Sequence, residues 1–300
     1  MIDSHVHVWT RSLRNAAWLD RGPAATNRDF TSHDLIVHLD QQAASASIVV
    51  QSQDSLDETR ELLELAEREP RVLGVVGYLP LHDPVRLARL HDVLDHPALV
   101  GARSIQTPLS MQSHASEHSL DPAVSESLAI LAMHRLALDV VGRPPAALDD
   151  AVAAATTHPG LHVIADHLAN RHLESRIAGR ARATALPPVL ACLPNLFVKL
   201  SGLSAVADDE FAVHVAAFAS AIGPRRLLFG SDWPICLRHG DTNAPLRRAV
   251  AATRDLADAD ADAWIFAETA RIAYPRLGGR DAIEADMPGR NGQRENENQR

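Results

Sequence analysis

Residues 47–78 read SIVVQSQDSLDETRELLELAEREPRVLGVVGY, and this stretch decides the architecture. Ser47–Gln51 is a short apolar run rich in β-branched side chains, continuous rather than alternating, as expected of a parallel strand covered on both faces. Ser55 and Glu58 then form a capping-box pattern at the start of a helix running towards Glu69. Val72–Tyr78 is a second apolar run of the same kind. Strand, helix and strand in close succession imply two parallel strands joined by a crossover helix.

Working outward, the same unit recurs. Further apolar runs at Ile2–Val8, Leu99–Ser104, Leu136–Val141, Leu161–Asp166, Leu196–Leu200 and Leu227–Gly230 bring the strands to eight. Asp83-Pro84 and Asp121-Pro122 each set a cap residue before proline at the first helical position. Pro145–His158, Asp208–Ile222 and Asp260–Ala273 also read as helices. The alternation implies an α/β fold with a parallel sheet, and eight repeats suit a closed (β/α)8 TIM barrel. Residues 1–278 are expected to form this single domain. From Gly279 to residue 300 the chain turns polar and loses periodicity, which predicts a disordered tail.

Composition agrees and excludes several function classes. A chain of 300 residues with 46% hydrophobic content can bury one large core. Its net charge of −9, from 38 acidic and 29 basic residues, is spread along the chain. Nucleic acid and anionic membranes reward a clustered positive face, so neither is expected as a partner. Two cysteines, Cys192 and Cys236, are too few for a disulfide framework and fit a reducing compartment. MIDSHVHVW has no basic n-region and does not read as a signal peptide, and no run approaches the roughly 18 apolar residues of a membrane span. A soluble cytoplasmic protein is expected, with a homo-oligomer left open.

In such a barrel the loops after the strands form the face that holds the chemistry. His5 and His7 close the first strand, and period-two alternation sends both imidazoles the same way, into the mouth. Alone the pair is weak, because the chain has 16 histidines. Asp232 follows the eighth strand within Gly230-Ser231-Asp232-Trp233-Pro234; by itself it would be a turn residue. Barrel closure sets the first and eighth strands side by side, however, and so sets Asp232 beside the two histidines. His167 ends the sixth strand at the same face. Three histidines and an aspartate at the ends of strands one, six and eight point to an active site. The Gln106–Leu120 loop, with His114 and His118, is a candidate lid. No G-x-S-x-G nucleophile elbow is present, and Cys236 has no evident basic partner.

From Ile2 to about Leu277 the chain resembles the amidohydrolase-related family, which contains sugar-lactone hydrolases and pyrone-dicarboxylate lactonase. The resemblance rests on IDSHVHVW, VVQSQDSLDETRELLELA, VLGVVGYLPL, GARSIQ, HPGLHVIADH, PNLFVKLSGL, LLFGSDWP and TARIAYPRL. It implies that His5, His7 and His167 surround a substrate carbonyl, with Asp232 as general acid and base. It implies that Arg103 contacts substrate from the rim, with Gln106 nearby. Lys199 has two readings, a site residue or a barrel-interior charge paired with a carboxylate such as Asp139. Gln51 is a further substrate-binding candidate, and Arg143 reads equally as a solvated loop residue. The chain departs from common family patterns at Ala169-Asn170-Arg171 and at Ser104, both of which bear on substrate identity.

His5, His7 and Asp232 would also serve as ligands of a single divalent ion such as zinc. Metal-dependent relatives add a histidine from the fifth strand, where this chain has Asp139-Val140-Val141-Gly142-Arg143. No cofactor is therefore expected to be required. The expected activity is hydrolysis of a small polar lactone, of sugar-acid rather than dicarboxylate type. The alternatives are a metal-dependent decarboxylase or amide hydrolase on the same barrel, or a non-catalytic small-molecule-binding barrel.

Overall fold

All eight apolar runs form strands: β1 (Ile2–Val6), β2 (Ala46–Val50), β3 (Val72–Gly77), β4 (Leu99–Ser104), β5 (Ala137–Val140), β6 (Val163–Ala165), β7 (Leu196–Leu200) and β8 (Leu227–Phe229). They lie in one sheet in sequential order, and each neighbouring pair from β1–β2 to β7–β8 is parallel. The computed structural model describes residues 1–10, 23–106, 109–110, 119–142, 146–170, 186–202 and 206–278. His114, His118, Arg143, Arg171 and the tail from residue 279 lie outside the described residues, as does most of the Gln106–Leu120 loop.

The seam between β1 and β8 closes the (β/α)8 barrel just beyond the strand ends. His7 N donates to Trp233 O at 2.7 Å and Asp232 N donates to His5 O at 2.9 Å. Ser4 Oγ reaches Phe229 O at 2.5 Å. These bonds fix the height at which the residues after β8 face those of β1.

The helices follow their capping signals, with three differences. Ser55 caps the helix Leu56–Arg68 by accepting from Glu58 N at 3.3 Å. The Glu58 carboxylate does not complete the box. It accepts instead from Ser52 N and Ser52 Oγ, both at 2.9 Å, and from Gln53 N at 3.0 Å, and so pins the loop that leaves β2. Asp121 caps Pro122–Met133 through Ala123 N. After Asp83 the helix lasts one turn, Pro84–Leu87. The segment predicted as one helix over Asp260–Ala273 contains a π-helical stretch, Trp264–Glu268. No helix among the described residues is long and apolar enough to cross a membrane.

One core cluster draws a side chain from every strand, including Ile2, Ile48, Val76, Val100, Ala137, Ile164, Phe197 and Leu228, as the interior of a barrel must. Ala270, Ala273, Tyr274 and Leu277 join it from the C-terminal segment. Arg276 donates to the carbonyls of Leu94, His96 and Leu99 ahead of and at the start of β4, and of His134 ahead of β5. The C-terminal segment therefore plugs the end of the barrel opposite the mouth.

Candidate active site

The register of β1 shifts between Asp3 and Val6, so that Ile2 joins the barrel core, Asp3 turns to His38 and His5 faces inward to Lys199. His7 follows two residues on, with ring centroids 5.0 Å apart. Both are buried, and His5 has no exposed surface. His7 Nδ1 meets the Val50 carbonyl at the end of β2 at 2.7 Å. A carbonyl only accepts, so the His7 proton sits on Nδ1 and Nε2 is turned to the mouth. There Asp232 Oδ1 lies 3.3 Å from His7 Nε2 and 3.7 Å from His5 Nε2.

Asp232 adopts φ 58°, left-handed backbone that a residue with a Cβ seldom takes. His167, Leu168, Ala169 and Asn170 form a left-handed turn with φ of 51–57°. Among the described residues, positive φ at a non-glycine residue also occurs at Ala43 and Arg135, but five of the seven such residues lie in the two segments that carry Asp232 and His167. His167 Nδ1 bonds Ser201 Oγ at 2.8 Å, and its ring lies 4.9 Å from that of His5. That ring rests on Gly202, where a Cβ would come within 2.2 Å of Nδ1. Gly230 plays the same part for His5, where a Cβ would meet the His5 Cβ at 2.5 Å.

Burial acts to raise the Asp232 carboxyl, but the His7 hydrogen bond and the imidazoles of His167, His5 and His7 bring it down to about 2. Burial pushes His5 well below the usual histidine value against the pull of Asp166, with Lys199 adding to the depression. Burial lowers His167 as well, against Asp232 and Asp166. An ionised carboxylate therefore faces neutral His5 and His167 rings at neutral pH.

Beneath them lies a network of buried charges. Asp166, at the end of β6, holds Arg103 Nη1 at 3.0 Å and Lys199 Nζ at 3.1 Å. Burial would raise the Asp166 carboxyl, and Lys199, His5 and Arg103 hold it well below the ordinary range. Lys199 Nζ also meets Asp139 at 2.6 Å, Tyr274 Oη at 2.9 Å and His5 Nδ1 at 3.3 Å. The carboxylate proposed for Lys199 from the sequence is thus its partner, and the same ammonium touches His5. Asp166 was missed because it read as the last residue of a strand.

Arg103 is a correction. It is not at the rim but 3% exposed, because Asp166 and the Gln51 carbonyl, at 2.5 Å, draw its guanidinium into the floor. Its Nη1 also reaches His5 Nε2 at 3.3 Å, while its Nε has no protein partner. Gln51 is fully buried and donates to the Arg103 carbonyl at 3.2 Å. Gln106 is exposed, and its N–H is held by Asp54 at 3.0 Å. Asp54, another residue not foreseen, also accepts from Ser104 Oγ and Ile105 N and so organises the exit from β4.

Above this floor opens a cleft of about 200 Å³. His7, Ser52, Arg103, His167 and Asp232 are its polar lining, and Ile105, Val141 and Ile235 its apolar lining. His5, Lys199 and Gln51 lie below it. Nitrogen and oxygen atoms of His5, His7 and Asp232 fall within 4.8 Å of one another, a set that can hold a divalent ion. The His7 tautomer suits this use, since an Nε2 lone pair facing a carboxylate is satisfied by a cation or a proton between them. Arg103 competes for the His5 member of the set.

A parallel (β/α)8 barrel with titratable groups gathered at the carboxyl ends of its strands has the architecture of a barrel enzyme. The chain belongs to the amidohydrolase family, whose model, described as Amidohydrolase, matches residues 2–276. It is 33% identical to an L-fucono-1,5-lactonase of Burkholderia ambifaria over 243 residues, 78% of this chain and 80% of that protein. An L-fucono-1,5-lactonase of Burkholderia multivorans is 30% identical over 249 residues, 79% of this chain and 82% of that one. Among solved structures, an amidohydrolase from Burkholderia multivorans with bound zinc superposes with a TM-score of 0.76 at 28% identity, covering 91% of this chain and 98% of that one.

Proposed function

We propose that the protein, through the domain formed by residues 1–278, hydrolyses a small sugar-acid lactone. The observation that carries this reading is the pairing, in one cleft, of an ionised Asp232 with Arg103 and the His167 ring. A lactone is an activated ester, so a fixed base and one or two hydrogen-bond donors suffice to open it. The likeness to two L-fucono-1,5-lactonases supports the substrate class. Polar groups on part of the cleft suit ring hydroxyls, and Ile105, Val141 and Ile235 leave room for the methyl group of a deoxy sugar.

In the proposed reaction, Asp232 takes a proton from water as the water oxygen bonds to the lactone carbonyl carbon. Negative charge gathers on the carbonyl oxygen, where Arg103 and His167 supply donors; one such donor commonly contributes roughly 3–4 kcal/mol. The intermediate collapses, the bond from carbon to ring oxygen breaks, and Asp232 returns the proton to that oxygen. A carboxyl with a pKa of about 2 is a modest base but releases its proton readily, which suits a reactive ester.

His5 acts from below by holding its neighbours in place. Gln51 fixes Arg103 by a mutual backbone and side-chain exchange, and Lys199 fixes Asp166. A divalent ion held by His5, His7 and Asp232 would, when bound, add Lewis-acid polarisation of the carbonyl. With Arg103 and Lys199 both at the His5 ring, the reaction is proposed to proceed without it.

The test compares turnover on L-fucono-1,5-lactone and other sugar-acid lactones with turnover on pyrone and muconate-type dicarboxylate lactones. Preference for the sugar lactones is expected. Preference for the dianions overturns the substrate class, and hydrolysis of neither overturns the lactonase reading.

A further inference from the structure

The helix Ser32–Gln41 packs outside the barrel, yet one of its side chains reaches the segment that carries Asp232. His38 is 2% exposed. Its Nε2 lies 3.2 Å from Asp3 Oδ2 and 3.2 Å from Ser231 Oγ, and its Nδ1 lies 2.7 Å from Thr242 Oγ1. Its ring stacks on Trp233, with centroids 4.9 Å apart and planes 15° from parallel.

Histidine, serine and aspartate together suggest a nucleophilic triad, but the geometry rules it out. A relay needs Ser and Asp on opposite ring nitrogens, whereas here both meet Nε2. Ser231 is also 1% exposed and reaches no substrate. The tautomer follows from the partners: a carboxylate only accepts, so the proton is on Nε2, and Nδ1 accepts from the Thr242 hydroxyl.

What the cluster does is hold both neighbours of Asp232. Ser231 N donates to Asp3 Oδ1 at 2.9 Å, and Trp233 N donates to Ser231 Oγ at 3.0 Å. Asp232 N donates to the His5 carbonyl at 2.9 Å. Asp3 Oδ1 also meets His5 N at 3.3 Å, which ties β1 into the same knot. The amides on either side of Asp232, those of Ser231 and Trp233, thus end in side chains that His38 touches, and the Asp232 amide ends on His5, whose own N–H is held by Asp3. Left-handed backbone at a non-glycine residue persists only where the surroundings over-determine it.

We propose that His38 is a positioning residue for Asp232, acting through Ser231, Trp233 and Asp3. It does not touch substrate. The activity arm of its test rests on the lactonase reading; the exchange arm does not. In His38→Ala, kcat is expected to fall about tenfold to a hundredfold with KM little changed, the size of effect that a displaced catalytic group produces. His38→Gln can donate to Asp3 and accept from Thr242, and should recover most of the loss. Ser231→Ala should lower kcat similarly, and the double variant should cost little more than either alone, since both break one linkage.

Hydrogen exchange of the amides of residues 231–233 in the intact protein should accelerate in His38→Ala and in Ser231→Ala. A purely structural His38 would lower Tm while leaving kcat and these amides as they were, and that result overturns the proposal. If His38→Ala does not fold, His38→Gln and Ser231→Ala carry the comparison. If wild type opens no lactone, the lactonase reading fails, and exchange at 231–233 alone decides the role of His38.

Discussion

His7 presents Nε2 to Asp232 Oδ1 at 3.3 Å while its other ring nitrogen is committed to the Val50 carbonyl at 2.7 Å. With Nδ1 turned to a carbonyl that only accepts, the other ring nitrogen faces a carboxylate that also only accepts. The pair is at rest only with a proton or a cation between the two atoms. The seam between β1 and β8 therefore builds a place where a proton is held against Asp232, at the mouth of the cleft.

Asp232→Asn keeps the shape and lets the amide donate to His7 Nε2, but it removes the proposed base. Turnover is expected to fall by roughly two to four orders of magnitude, the usual size of a general acid–base contribution. Thermal unfolding should show the fold retained. Near wild-type turnover in a folded variant would take Asp232 out of the mechanism.

Metal removal separates the two uses of the His7–Asp232 pair. Lys199 and Arg103 each stand 3.3 Å from a nitrogen of His5, and a dication beside them meets repulsion that Asp166 only partly offsets. Activity is expected to survive exhaustive chelation. Loss in chelator, with restoration by zinc, would show that His5, His7 and Asp232 work as ligands.

Gly202 stands at φ 67° with the His167 ring where a side chain would be. Gly202→Ala meets both costs, left-handed backbone and displacement of the ring. We expect a loss of about 1–3 kcal/mol in stability from the backbone and a fall in kcat beyond it as His167 moves. Urea unfolding and steady-state kinetics on the same preparation check this, and an unchanged kcat would mean that His167 is not needed where it stands.

The strands were legible because parallel strands covered on both faces leave continuous apolar runs, and Ser55 and Asp121 announced their helices by caps. His5, His7 and Asp232 could be placed together because strand period and barrel closure are geometric rules. What could not be read depends on side-chain direction within the barrel. Arg103 has the same sequence context whether it points to solvent or to a buried Asp166, and only the charge of Asp166 draws it inward. The left-handed turn over 167–170 has no glycine to announce it. His38 reaches Ser231 across 193 residues, from a helix whose pattern says only that one face is buried.

Lys199 is the chain's only lysine, one of 29 basic residues, and its position explains the exception. Its ammonium has Asp139, Tyr274, Asp166 and His5 around it at 2.6–3.3 Å, with no exposed surface. A compact charge with three donors fits a barrel interior, whereas a planar guanidinium needs a fork of acceptors and more room. Burial raises the Asp139 carboxyl to about 6 even with Lys199 beside it, so without the ammonium Asp139 and Asp166 would be left buried against each other. Lys199→Met is expected to destabilise the protein by about 3–5 kcal/mol, the range for breaking a buried pair from one side. Adding Asp139→Asn should recover part of this by removing one orphaned charge. Lys199→Arg keeps the charge and should still cost more than 2 kcal/mol, as overpacking and misplaced donors add up. Urea unfolding of the three variants measures each loss. An arginine variant within about 0.5 kcal/mol of wild type, the spread of neutral substitutions, would show that charge alone is needed at the centre of the barrel.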